Sequence, residues 1–142
     1  MAAVKTEATL PAGLDEAWER VSDLANSGDW NTVHVDFPDG VPEPAEGASF
    51  KEKVTIMGMP GEVEWTITEL SPPTGLAMEG VGPMGTTLMA AFRLEDDGEK
   101  TTKMTYETAV DGAALAAMAA PLEAASRKAA EDSLAKLKEL LG

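Results

Sequence analysis

The chain of 142 residues is 44% hydrophobic and 25% charged, the balance of one globular domain around a single core. Its 25 acidic and 11 basic residues leave a net charge of −14, a field that repels nucleic acid and anionic membrane and makes neither an expected partner. With no cysteine and one histidine, His34, disulfides, thiolate metal sites, thiol nucleophiles and two-histidine metal motifs are excluded, and no cofactor or metal is expected.

Residues 3–10 alternate, with Val4, Thr6, Ala8 and Leu10 on one side, as a first strand does. Pro11-Ala12-Gly13 breaks the alternation. From Leu14 the spacing turns helical, with Leu14, Ala17 or Trp18, Val21 and Leu24 about one turn apart. Asn26-Ser27-Gly28-Asp29 ends that helix, and Trp30 follows at once. Residues 36–48 hold three prolines and two glycines, which predicts a loop with room for a short strand around 34–37.

A series of strands comes next. Phe50, Glu52, Val54 and Ile56 alternate with Lys51, Lys53, Thr55 and Met57. Gly58-Met59-Pro60-Gly61 then predicts a tight reversal into a strand with Val63, Trp65 and Ile67 on one face. Ser71-Pro72-Pro73-Thr74-Gly75 turns into 76–80, which carries Met78. Residues 86–94 follow, with Leu88, Phe92 and Leu94 inward, and an acidic turn closes them at 95–100. The last strand, 102–110, puts Met104, Tyr106, Thr108 and Val110 on one face. Short strands joined by turns predict a curved antiparallel sheet with one wet and one buried face.

The tail reads as a long helix to Leu141, with Pro121 in a first turn or at a kink after a short helix at 113–120. Its charges cancel, so the whole −14 lies in residues 1–112. The expected core stripe is Leu122, Ala125 or Ser126, Ala129, Ser133, Leu137 and Leu140. Small residues at its centre, facing a sheet with large ones, predict a void beneath the helix.

This order of elements resembles the helix-grip fold of the START-like (SRPBCC) superfamily, in particular its polyketide cyclase/dehydrase-like branch. The similarity lies in Leu10-Pro11 followed by Asp15-Glu16-Ala17-Trp18, then Val21-Ser22-Asp23-Leu24 and Trp30. It continues in Trp65-Thr66-Ile67-Thr68-Glu69-Leu70-Ser71-Pro72-Pro73 and in Gly98-Glu99-Lys100-Thr101-Thr102. The resemblance implies an α+β fold in which a sheet of six to seven strands wraps around the C-terminal helix, with two short helices after the first strand. It also implies one ligand-binding domain over 1–142, with a cavity between sheet and helix. Some small bacterial members are described as the toxin half of a toxin–antitoxin pair.

The candidate site follows from strand phase. Glu52 shares the apolar phase of Phe50 and Val54, so it is either a buried carboxylate suited to acid–base work or a group reaching water where the sheet bends. Tyr106 is either a phenol facing a ligand or a core tyrosine bonded to backbone. Trp65 is a stacking wall or a core anchor, Trp30 lines the mouth, and Trp18 packs under the sheet edge. Phe50, Val54, Ile67, Met78, Leu88, Phe92, Met104, Thr108, Leu122 and Ser126 complete the expected pocket. Seven of the eight methionines follow residue 56, which reads as a soft pocket or as core filling. Arg93 is expected in solvent, and His34 in a surface pair with Asp36 or Asp39.

No catalytic residue is assigned; Glu52 and Tyr106 are the candidates. The expected function is binding of a small apolar or aromatic molecule. The alternatives are a polyketide cyclase/aromatase using the same two residues, and a toxin acting through protein contacts, with a protein partner or a second copy of the chain. No basic, apolar leader and no apolar run of about 18 residues appears, so the expectation is a cytoplasmic protein with no stable membrane association.

Overall fold

The computed structural model describes residues 2–41, 43–56, 58–98 and 100–142, with the backbone alone at 2, 56 and 114–116. The readings placed on Met57 and Glu99 fall outside it.

The chain order is β1 (Ala2–Leu10), α1 (Leu14–Ser22), a 3₁₀ segment (Leu24–Asp29) and β2 (His34–Asp36). Then come β3 (Ser49–Ile56), β4 (Met59–Ser71), β5 (Gly75–Val81), β6 (Thr87–Asp96), β7 (Thr102–Asp111) and α2 (Ala119–Leu141). The second of the two short helices is 3₁₀, broken at Asn26 (φ −110°, ψ 20°), because Asn-Ser-Gly-Asp is a poor helix former. The reversal after β3 is tighter than its four-residue signal, since Ile56 already pairs with Met59.

All neighbouring strands are antiparallel, in the order β1-β7-β6-β5-β4-β3-β2. The sheet curls into a half-barrel, and α2 lies in its concave side. The alternation read from sequence sets the buried face: Val4, Thr6 and Leu10 on β1, Glu52 and Val54 on β3, Val63, Trp65 and Ile67 on β4. A register shift between Ile67 and Glu69 bends the far half of β4, as a bulge does.

Among the described residues the buried side chains pack in three clusters, and two of them flank the site. The main core joins Leu10, Val21, Trp30, Leu76, Phe92, Met104 and Leu137 across both helices and the sheet. A smaller cluster gathers Val54, Val63, Trp65 and Ala90. Gly80 permits the second one. It pairs with Trp65 across β4 and β5, and a Cβ there would lie 2.6 Å from Val63 Cγ1 and 2.8 Å from Trp65 Cε3.

A 3₁₀ segment, Ala113–Met118, leads into α2, and Pro121 falls in the first turn of that helix, where its missing N–H costs nothing. The buried stripe of α2 is Leu122, Ala130, Ser133, Leu134 and Leu137. Leu140 leaves it, at 41% exposure. The helical period carries the stripe from Leu134 and Leu137 on to Leu141, which packs on the main core. Among the described residues no helix is long and apolar enough to cross a membrane.

Candidate functional site

Between the two packed regions, under the small residues of α2, a cavity offers about 80 Å³ to the centres of water molecules. One enclosed water needs roughly 10–15 Å³ on that measure, so the space exceeds a hydration site. Ser126, Ala129, Ala130 and Ser133 form its helix side, and Val54, Trp65, Met78, Leu88 and Phe92 most of its apolar sheet side. The void expected beneath a helix of small side chains is present. It persists because aromatic rings and methionines hold the sheet backbone away from α2.

Glu52 and Tyr106 supply polar chemistry to the wall. Glu52 is only 6% exposed, which decides between the two readings of this residue in favour of the buried carboxylate. A buried carboxylate requires hydrogen-bond donors, and among the described residues it has two. Trp65 Nε1 donates to Oε1 at 3.0 Å, and His34 Nδ1 lies 2.6 Å from Oε2. Glu52 as acceptor places the proton on Nδ1 of the imidazole. β2, β3 and β4 are thus tied together by side chains as well as by their ladder.

His34 is therefore not in a surface pair with Asp36 or Asp39. Its side chain is 9% exposed and its ring lies 4.5 Å from that of Phe37. The correction has a simple origin: β2 pairs His34 with Val54 of β3, and Glu52 is two residues along the same face of β3.

Tyr106 is buried and stacks on Phe92 with ring centroids 5.0 Å apart. Burial holds its hydroxyl well above the usual phenol range, and the nearby negative charge of Glu52 adds to the effect. The phenol is therefore protonated, and its O–H has no acceptor among the described residues. Thr108 and Ser126 contribute further hydroxyls to the wall.

Of the residues expected at the pocket, the structure gathers Glu52, Val54, Trp65, Met78, Leu88, Phe92, Tyr106, Thr108 and Ser126 around this cavity. Five others lie elsewhere. Trp30 is not at a mouth: it is 1% exposed in the main core, with ring centroids 5.6 Å from Phe92 and 6.4 Å from Tyr106. Its indole N–H is buried without an acceptor among the described residues. Phe50 turns toward Phe37, 5.8 Å away between centroids. Met104 belongs to the main core, and Leu122 packs with Val110 and Leu88. Ile67 is buried but does not border the cavity. Strand phase assigns a face; distance along the strand from the packed helix decides whether that face meets core or cavity.

The methionines divide the same way. Met78 and Met89 border the cavity, Met104 fills the core, and Met59 and Met84 are 48% and 83% exposed. Arg93 reaches solvent as expected and pairs with Glu69. That ion pair raises the guanidinium pKa and lowers that of the carboxyl.

One wall was not anticipated from sequence. Asn31 and Val33 border the cavity, and Thr32 between them is fastened to α2. Its backbone N–H donates to Ser133 Oγ at 3.0 Å and its hydroxyl to the Ala129 carbonyl at 3.0 Å. A strap thus runs from the helix through Thr32 to His34 and Glu52. A wider trough of about 640 Å³ crosses the other face of the sheet past Glu64, Thr66 and Glu79. Glu64 and Glu79 are exposed carboxylates, and the trough lies open on the sheet surface, so it lacks the enclosure of a small-molecule site. Among the described residues no three His, Cys, Asp or Glu converge to hold a metal.

Known proteins share this architecture. A START superfamily protein from Mycobacterium smegmatis superposes with a TM-score of 0.74 at 16% identity, covering 98% of this chain and 96% of its own. DynU16, from the dynemicin biosynthetic locus, gives 0.69 at 20% identity over 99% of this chain and 47% of its own, so the chain spans about half of that structure. In sequence, Toxin Rv0910 of Mycobacterium tuberculosis is 32% identical over 101 residues, 69% of this chain and 70% of its own. The family described as polyketide cyclase / dehydrase and lipid transport matches residues 1–142, and the chain belongs to that family.

Proposed function

We propose that residues 1–142 act as one ligand-binding domain that holds a small apolar or aromatic molecule between the sheet and α2. The observation that carries this reading is the cavity beneath α2, apolar over most of its wall, with Glu52 and Tyr106 converging on it from β3 and β7. Met78 supplies pliable surface for ligands of varied outline. Native mass spectrometry of the purified protein, followed by denaturing extraction, tests it. The expected result is a reproducible mass excess with an apolar small molecule in the extract. A bare chain that also fails to bind the neutral dye N-phenyl-1-naphthylamine overturns it.

One observation favours a catalytic use of the same space: Glu52 and Tyr106 border one cavity. On this second reading Glu52 takes a proton from a polyketide-like chain while Tyr106 donates to the developing enolate. Glu52→Gln would then abolish turnover of such a substrate without weakening its binding. The toxin named among the relatives supports a third reading, in which growth arrest on expression would survive Glu52→Gln and Tyr106→Phe.

A further inference from the structure

We infer that the cavity selects an uncharged ligand bearing a hydrogen-bond acceptor, and that Tyr106 recognises this acceptor while Glu52 excludes carboxylates. The inference rests on the ligand-binding reading above and names the chemistry of its ligand. Four observations lead to it. First, the Tyr106 hydroxyl is a donor without an acceptor among the described residues, in a wall that is mostly apolar; an oxygen or nitrogen lone pair on the ligand completes it.

Second, among the described residues Lys, Arg and His contribute nothing to the wall, so an anion would enter without a counter-charge. Its desolvation would go uncompensated. Third, the Glu52 carboxylate is part of that wall, and its imidazole partner does not border the cavity. A ligand carboxylate would face like charge in a low-dielectric space. Fourth, both Glu52 oxygens already receive donors, from Trp65 and His34. The carboxylate is therefore satisfied without a cationic ligand, and an amine would gain little beyond what it loses on leaving water.

A matched set of four probes with one ring system tests this: 2-acetylnaphthalene, 2-ethylnaphthalene, 2-naphthoate and 2-naphthylmethylamine, measured by displacement of N-phenyl-1-naphthylamine. The ketone is expected to bind most tightly, with naphthoate weaker by about tenfold or more. Tyr106→Phe should weaken the ketone by roughly threefold to tenfold and leave the ethyl compound unchanged. Glu52→Gln should narrow the gap between naphthoate and ketone. Naphthoate or the amine binding as well as the ketone, or a Tyr106→Phe variant that keeps full preference for it, would overturn the inference alone. If the dye binds and none of the four displaces it, this inference alone falls; if the dye does not bind either, the ligand-binding reading falls and this inference falls with it.

Discussion

His34 and Glu52 form a buried pair across two strands, with Nδ1 2.6 Å from Oε2 and side chains 9% and 8% exposed. Removing one member strands the other. His34→Ala leaves a desolvated carboxylate with Trp65 as its one donor among the described residues and should cost about 2–4 kcal/mol. Glu52→Gln behaves differently. Its amide oxygen can accept from Trp65 while its N–H donates to the other tautomer of His34, so every polar atom stays satisfied. That variant should be neutral or stabilising by up to about 1 kcal/mol. Urea unfolding of both single variants and of the double variant checks the pair. Additive costs would show that the two residues are not coupled.

Gly80 is tied to the same network from beneath. Gly80→Ala puts a methyl group against Val63 and the Trp65 ring, neither of which is free to move, and should destabilise the fold by about 1–3 kcal/mol. A displaced Trp65 also loses its bond to Glu52. In an amide correlation spectrum the Trp65 indole N–H should shift markedly while that of Trp18 stays in place. An unmoved Trp65 resonance would refute this account of Gly80.

Much of this was legible from strand phase. Glu52, Trp65 and Tyr106 fall in the buried phase of three different strands, and a curled sheet brings such phases together. Their partners were not legible. The His34–Glu52 contact depends on a three-residue strand whose pairing with β3 follows a loop rich in proline, and no local signal fixes that register. Trp30 follows a helix-ending turn, so only the packing of Phe92 and Tyr106 around it shows that it is core. The Thr32 strap was missed because short polar side chains after a turn read as solvent-facing. Its three bonds to α2, through Ser133 and Ala129, span a separation that no periodicity reports.

The chain holds one tyrosine, so tyrosinate absorbance near 295 nm reports on Tyr106 alone. Its hydroxyl is held above the ordinary phenol range in the folded protein, chiefly by burial. The neutral form is thus favoured by folding. This contribution is complete below the unfolded value of about 10 and is lost as pH rises above it. No tyrosinate signal should appear before unfolding in an alkaline titration, and wild-type stability should fall more steeply above about pH 10 than that of Tyr106→Phe. The phenylalanine variant subtracts the lysines, which titrate in the same range. A reversible tyrosinate signal at about pH 10 with the fold intact would mean that the hydroxyl is solvated.

Ser126 separates cavity from fold most cleanly. It borders the cavity from α2 and makes no side-chain hydrogen bond among the described residues, so replacing it strands no partner. Ser126→Leu adds apolar volume facing the cavity, where no packed side chain stands in its way and the penalty for overpacking is smallest. The melting temperature should hold or rise by a few degrees, on the order of 1 kcal/mol of stability. Binding of N-phenyl-1-naphthylamine should weaken by about tenfold or more, because the added side chain occupies the space the dye needs. A variant that is stable and binds as before would place the ligand elsewhere, and the trough past Glu64 and Glu79 would be the next surface to block. A variant that is stable and does not bind ties the small side chains of α2 to ligand capture rather than to close packing of helix on sheet.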